Sequence, residues 1–279
     1  MPMSQQLSGG TRLQKTSKPY DPELPVVSVI TIVFNGAAVL EPTIQSVINQ
    51  SYKNIQYILI DGGSTDGTLD IIQRYKEYIA FWISESDRGI YDAMNKGLEA
   101  ATGDYVWFMN AGDRIYTPQT LSILFAPSPH LNPALIYYGD TMVVDSSFNE
   151  IGLRRLRPPE QLTWKSFQKG MLVCHQAIIV HRSITGSYDM NYRHSADFDW
   201  VIRALKQAEE QQNPTAPIVN TRQILCAFLD GGHSKQNITA SLRERFDIMR
   251  RHYGLPGTVI RHLPIAMKFF WFWLRKGRF

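Results

Sequence analysis

The sequence predicts an α/β protein: a mostly parallel central sheet with helices on both faces, a smaller mixed second region and a C-terminal helical tail. Three observations predict it. From residue 26 to residue 113, β-branched and apolar runs alternate with stretches of helical periodicity. Each run ends on a turn or capping cluster, the punctuation of strand, loop and helix. Past residue 115 the runs shorten and the alternation stops.

Residues 26–33 form a β-branched run and read as a buried first strand. Residues 38–50 carry Leu40, Ile44, Val47 and Ile48 at helical spacing. Pro42 falls near the first turn, where proline is tolerated. Residues 55–60 make a second strand, and 68–75 a short helix capped by Ser64, Thr65 or Asp66. A third strand follows at 80–84, a helix at 90–101 and a fourth strand at 105–109, ending on Asn110-Ala-Gly-Asp113. Parallel neighbours joined this way need right-handed crossovers. In the second region, 135–138, 142–144 and 177–180 read as short strands, some antiparallel. Residues 195–207 place Phe198, Val201, Ile202 and Leu205 on one helical stripe, and 238–253 form another helix. No repeat or long linker interrupts the chain, so 26–253 reads as a single domain with halves at 26–115 and 116–253. Residues 1–25, polar and rich in Ser, Gln, Lys and Pro, read as a disordered lead-in without a secretory signal.

The 279 residues are 44% hydrophobic, ordinary for a packed core. Cys174 and Cys226 lie in different contexts, read as core thiols, and are too few for a zinc site. They suggest a reducing compartment rather than a disulfide framework. Charge is uneven. No acidic residue follows Asp247, while Arg250, Arg251, Arg261, Lys268, Arg275, Lys276 and Arg278 do. Removing those seven charges from the net +4 leaves −3 over residues 1–247. An acidic body argues against nucleic acid as partner. In residues 254–279 the tail ends in aromatics beside lysine and arginine, but its unbroken apolar run, 269–274, is far short of a span. That composition suits an anionic headgroup surface, so residues 258–279 are expected to hold the protein peripherally on the cytoplasmic face of the membrane. The competing reading docks the tail on the body.

The chemistry is written where the strands stop. In residues 55–66 an apolar run ends at Asp61, followed by Gly62, Gly63 and a capping cluster. Asp61 thus falls at the carboxyl end of a strand, where open α/β sheets bind ligands. The P-loop pattern and the dinucleotide Gly-x-Gly-x-x-Gly are both absent. A carboxylate there suits a base or sugar hydroxyl rather than a phosphate. Four strand ends bring 31–35, Asp61, 85–89 and 110–113 to one rim. Carboxylates gathered there repel unless a cation or ligand hydroxyls compensate, and a hard divalent ion with a diphosphate would do so.

Four motifs in order carry a resemblance. They are Val-Ser-Val-Ile-Thr-Ile-Val-Phe-Asn (27–35), Asp-Gly-Gly-Ser-Thr-Asp-Gly-Thr (61–68), Ser-Glu-Ser-Asp-Arg-Gly-Ile-Tyr-Asp-Ala-Met-Asn-Lys-Gly (84–97) and Phe-Met-Asn-Ala-Gly-Asp (108–113). Over roughly residues 26–235 the chain resembles family 2 glycosyltransferases with the GT-A fold, closest to the colanic-acid and exopolysaccharide branch. The resemblance implies an inverting enzyme that moves a sugar from a nucleotide-diphosphate sugar to a hydroxyl of a lipid-linked glycan acceptor, with Mn²⁺ or Mg²⁺ as cofactor. It implies that Thr31, Phe34 and Asn35 line the nucleotide pocket and that Asp61 and Gly62 meet base or ribose. Asp87, Asp92, Asn95 and Asn110 would frame the donor, and His175 and Gln176 would lie on the acceptor side. Asp113 would hold the metal, with His233 a candidate further ligand, and Asp197 would be the catalytic base.

Bland alternatives stand beside these roles. Asp61 could be a turn former, Asp66 a helix cap, Asp92 and Asn95 partners of backbone, and His175 a structural histidine. Asp199 reads as a solvated or salt-bridged surface acid. One departure from the family pattern is plain: the Asp-x-Asp metal motif is here Asn110-Ala-Gly-Asp113, with a single carboxylate. It motivates an alternative, a non-catalytic nucleotide-sugar-binding protein.

Overall fold

The computed structural model describes residues 7–14, 19–125, 134–211, 217–231 and 238–260. His233 and most of the basic aromatic tail, 261–279, lie outside the described residues. Strand β1 (Leu7–Gly9) opens the chain, followed by β2 (Val27–Val33), α1 (Ala37–Ile48), β3 (Ile55–Asp61) and α2 (Thr68–Arg74). Next come β4 (Phe81–Ser84), α3 (Ile90–Ala100), β5 (Tyr105–Phe108), β6 (Arg114–Ile115) and α4 (Thr120–Leu124). The second half holds β7 (Ile136–Val144), β8 (Glu150–Leu153), β9 (Ile178–His181), α5 (Ala196–Glu210), β10 (Ile218–Leu229) and α6 (Ile238–Tyr253).

Among the described residues all ten strands join one sheet, in the order β1-β4-β3-β2-β5-β9-β7-β10-β6, with β8 paired to β7. The block β4-β3-β2-β5 is parallel. Its crossovers step outward from β2 to β3 to β4, then return across the sheet to β5. Right-handed connections therefore put α1 and α2 on one face and α3 on the other. Every residue of β2 is buried, as a strand covered on both faces must be. Beyond β5 the sheet turns mixed: β9 is antiparallel to β5 and β7, while β10 is parallel to β7. The second half extends the first half's sheet with mixed strands.

Two sequence expectations change here. Within the expected disordered lead-in, Leu7–Gly9 pair antiparallel with β4. Arg12 then reaches the Ala100 carbonyl at 2.8 Å and lies over the Phe81 ring. A polar composition hid this strand because an edge strand needs backbone partners more than apolar side chains. The separate strands expected at 135–138 and 142–144 are one strand, β7, running through Gly139. A Cβ at Gly139 would meet the Gln223 carbonyl at 2.5 Å and Thr221 Oγ1 at 2.6 Å. The glycine is thus a close approach to the bulge in β10, where Arg222 has φ 54°, and not a break.

Asp199, expected on the surface, is buried between α5 and α6. It accepts from Arg203 Nε at 2.7 Å and from His252 Nε2 at 2.8 Å. The ion pair sits inside because α6 covers it. Gly139→Ala should lower unfolding free energy by about 1–3 kcal/mol through overpacking against β10, measured by urea denaturation. Unchanged stability would show that the bulge can yield.

Candidate active site

β2 and β5 are neighbours whose connections run in opposite directions, the switch point where open α/β sheets bind ligands. Their pairing continues past the end of β5: Met109 N–H donates to the Ile30 carbonyl at 2.8 Å and Ala111 N–H to Ile32 at 3.1 Å. Asn110–Asp113 is therefore zipped to the end of β2, beside Phe34 and Asn35. Phe34 is 64% exposed on this rim.

The turns after β2 and β3 are stitched together. Asn35, at φ 47°, receives the Thr65 N–H on Oδ1 at 2.9 Å, and its own N–H reaches Ser64 Oγ at 2.7 Å. Asp66 accepts from Ala37 N–H at 3.0 Å and Thr68 N–H at 3.1 Å, capping α1 and α2 with one carboxylate. The Thr68 hydroxyl leads the donors that hold its carboxyl below the usual carboxylate range. Asp61 is fully buried, its carboxylate taking the Ser64 N–H, the Ser64 hydroxyl and the Ser84 hydroxyl. It shapes the turn, with its acceptors engaged by the protein itself. Thr31 is also fully buried, bonded to the Met109 carbonyl at 2.8 Å and Tyr57 hydroxyl at 3.0 Å. That puts it behind the rim, locking β2 to β5, instead of lining a pocket.

Gly62 brings the next group in. A Cβ there would fall 2.4 Å from Asp87 Oδ2 and 3.3 Å from Phe34 Cδ2. Asp87 accepts the Gly89 N–H at 2.8 Å and so caps α3. Burial, reinforced by Asp92 and Asp61, raises its carboxyl against the pull of Gly89 N–H and Lys96. Asp92 takes Arg88 N–H at 3.1 Å and Arg88 Nη2 at 2.8 Å. Burial alone would raise Asp92, but Arg88 and Lys96 outweigh it and hold it low. Asn95 pairs through both ends of its amide with Tyr188: Nδ2 to the carbonyl at 3.1 Å, Oδ1 from the N–H at 2.7 Å. Asp92, expected to frame the donor, engages the Arg88 N–H and guanidinium, and Asn95, expected beside it, engages the Tyr188 backbone.

Asp197 lies half-buried in the first turn of α5, and Tyr91 at the start of α3 donates to its Oδ1 at 3.1 Å. This bond joins the first half's rim to the second half. Tyr91 stacks on Tyr188, whose ring stacks on Trp200. The Tyr188 hydroxyl meets His175 Nε2 at 2.7 Å. His175 is 4% exposed, and burial pushes its pKa down to about 4 although Asp197 pulls the other way. It is a neutral histidine beneath the site. Gln176 is buried beside it, accepting from Cys174 Sγ at 3.0 Å through Oε1 and from Trp107 Nε1 at 2.8 Å through its carbonyl.

Asp113 accepts the Leu229 N–H of β10 at 3.0 Å. Burial first, and Cys174 next, raise its carboxyl well above the ordinary range. Asn110 Oδ1 is buried and has no hydrogen-bond partner among the described residues. An orphaned amide oxygen and a carboxyl starved of positive charge are two hard oxygen donors wanting a cation, so the motif fits Mg²⁺ or Mn²⁺. No group of three His, Cys, Asp or Glu among the described residues could hold a metal alone. Cys174 is buried and interacts electrostatically with both Asp113 and Asp197. Its thiol also meets that of Cys226, a proximity the sequence concealed.

Sequence reasoning missed Tyr91, Tyr188, Ser64 and Ser84 as parts of the site. Tyr91 and Asp197 stand 106 residues apart, and no periodicity links them. The depressed His175 pKa has a stability consequence. A neutral folded-state imidazole stabilises the fold above the unfolded value of 6.5 and loses that contribution as pH falls toward about 4. Asp113 acts with the opposite sign, so the difference between wild type and His175→Gln isolates the histidine. Urea denaturation at pH 7 and pH 4.5 should show wild type losing about 2–3 kcal/mol more than the variant. Equal losses would mean the imidazole is charged in the folded state.

Comparison with known proteins follows the same lines. The Glycosyl transferase family 2 model matches residues 28–186. The chain is 32% identical over 246 residues to an uncharacterized glycosyltransferase of Mycobacterium tuberculosis, covering 85% of this chain and 89% of that protein. It is 34% identical over 185 residues to a PGL/p-HBAD biosynthesis glycosyltransferase of Mycobacterium bovis, covering 64% and 69%. Staphylococcus aureus TarS 1-349 in complex with UDP-GlcNAc superposes with TM-score 0.63 at 15% identity, covering 85% of this chain and 66% of that one. The mannosyltransferase PcManGT from Pyrobaculum calidifontis, in complex with GDP-Man and Mn²⁺, gives 0.56 at 16% identity, covering 90% and 73%. The likeness to these structures shows a GT-A fold. With four motifs on one sheet edge and the family model spanning most of that sheet, the chain belongs to the family 2 glycosyltransferases.

Proposed function

We propose that the protein is an inverting glycosyltransferase that moves a sugar from a nucleoside-diphosphate sugar to a hydroxyl of a glycan acceptor, lipid-linked, in surface polysaccharide assembly. The observation that supports this reading is the Tyr91–Asp197 bond, which ties a carboxylate of α5 to the start of α3. The biosynthetic glycosyltransferase among the relatives supports an acceptor of this class.

Phe34, Gly62 and the Asn35–Thr65 turn offer an exposed ring and a close backbone surface to the base and ribose. Asn110 and Asp113 would hold a divalent ion at the switch point. When bound, that ion supplies positive charge to the departing diphosphate. Asp197 removes the proton from the acceptor hydroxyl as its oxygen attacks the anomeric carbon from the face opposite the leaving group. His175, neutral and bonded to Tyr188, supports the acceptor side without contributing charge. No helix of the described residues is long and apolar enough to cross a membrane. Residues 255–260 are helical and expose Leu255, Val259 and Ile260. We read the region from 258 onward as a peripheral contact with anionic lipid at the cytoplasmic membrane face.

Three experiments test this. Thermal unfolding with UDP, GDP, dTDP and CMP, each with and without Mn²⁺, should show one nucleotide raising Tm only with metal. The shift should vanish in Asp113→Asn; a shift that needs no metal would remove the ion from the mechanism. Asp197→Asn should cut kcat roughly 10²–10⁴-fold while keeping the donor-dependent Tm shift. A fully active Asp197→Asn would place the base elsewhere, and an inactive wild type that binds donor would favour the binding-protein reading. Removal of 258–279 should release the protein from vesicles containing anionic lipid; continued sedimentation would overturn the membrane contact.

A further inference from the structure

Among the described residues, two hydrogen bonds reach the Asp197 carboxylate, and both land on the same oxygen. Oδ1 accepts from the Tyr91 hydroxyl at 3.1 Å and from the Phe198 N–H at 2.9 Å. Oδ2 accepts none from the described residues. The Tyr91 hydroxyl also meets the Asp197 backbone N–H, so it touches both the main chain and the side chain of that residue. A phenol in this position donates one hydrogen bond and accepts another. Tyr91 keeps its proton, because burial and the Asp197 charge both raise its pKa well above the usual value.

Tyr91 is itself braced. Its ring stacks on Tyr188 at 5.6 Å, and Tyr188 stacks on Trp200 at 5.3 Å with planes 13° apart. Trp200 Nε1 donates to the Gly186 carbonyl at 2.6 Å, and Asn95 clamps the Tyr188 backbone from α3. The Tyr188 hydroxyl is fixed by His175 at 2.7 Å. Such a stack restricts where the Tyr91 hydroxyl can go, and preorganised donors of this kind cost nothing to orient at the moment of reaction.

We propose that Tyr91 is the positioning residue for Asp197: by holding Oδ1 it leaves Oδ2 as the oxygen that receives the acceptor's proton. The proposal rests on the reading of Asp197 as the base. In the step, the acceptor O–H bond breaks and its proton passes to Oδ2. The acceptor oxygen forms a bond to the anomeric carbon. The bond from that carbon to the diphosphate oxygen breaks, and the electron pair leaves with the nucleoside diphosphate. Asn95 acts one layer further out, through the Tyr188 backbone.

The test uses the full-length protein and release of nucleoside diphosphate from a panel of UDP- and GDP-sugars, with water as the simplest acceptor. Tyr91→Phe keeps the ring and removes only the hydroxyl. Its kcat should fall about tenfold or more, the value of one hydrogen bond to a charged group. Donor KM should stay within about twofold and Tm within a few degrees. A rise in donor KM with loss of Tm would mark a structural role and overturn the proposal. Wild-type kcat in Tyr91→Phe beside an inactive Asp197→Asn would overturn the positioning role alone. An active Asp197→Asn would remove the base reading and this inference with it. A crystal structure of Tyr91→Phe gives a readout independent of turnover: the Asp197 carboxylate should leave its place. A carboxylate that stays with Oδ1 on the Phe198 N–H would show that the tyrosine does not position it.

Discussion

The pairing of β2 with β5 is the constraint on which the site depends. It is a parallel contact between strands whose connections diverge, so no helix can cover the gap at their carboxyl ends. The ladder continues past the strands through Met109 and Ala111, which carries the Asn110–Asp113 loop up beside the Phe34–Asn35 turn. Thr31 adds a side-chain bond to the Met109 carbonyl from inside. The buried hydroxyl therefore matters to the site by fixing register. Slipping the register by one residue would turn every side chain of β2 to the opposite face and lose the Thr31–Met109 bond.

Much of the rim's acidity is spent on architecture. Asp66 caps two helices, Asp61 gathers two serines, Asp87 caps α3, and Asp92 binds Arg88. Asp61, Asp66 and Asp92 are each engaged by several N–H or O–H donors, so a bond to a ligand there would have to displace one already made. Asn110 and Asp113 differ. One has an orphaned amide oxygen, and the other is a carboxyl whose burial raises it above the ordinary range. Substituting asparagine for the usual first aspartate avoids a second uncompensated charge in a dry loop. The cost is weaker attraction for a cation, which a diphosphate arriving with its own ion would offset.

The parallel half of the fold was legible in the sequence to within a residue or two, because strands buried on both faces must be continuously apolar and their helices amphipathic. The same rule failed for β1, β8 and β10, which are edge or bulged strands defined by backbone pairing. Site residues divided along similar lines. Motif position located Asp61, Asp87, Asp92, Asn95, Asp113 and Asp197 on the rim or just behind it, but could not say which faced ligand. That depends on short bonds to Ser64, Ser84, Arg88 and Tyr188, whose partners are chosen by tertiary packing.

The join between the two halves explains why the aromatic cluster is so large. Catalysis of glycosyl transfer needs donor and acceptor groups held in fixed relation, yet the donor rim belongs to β2–β5 and the proposed base to α5. A single hydrogen bond across that join would be soft by itself, about 1 kcal/mol net. Tyr91, Tyr188, Trp200, Phe108 and His175 form a contiguous set of ring contacts spanning α3, β5 and α5. Close-packed rings transmit position because they cannot compress. The buried histidine fits this role better than a catalytic one: an imidazolium there would need solvation that the stack excludes, whereas a neutral ring bonds Tyr188 and packs like its neighbours. The proposed base is thus held by packing first and by hydrogen bonding last, so deleting the final hydroxyl is expected to alter chemistry without undoing the fold.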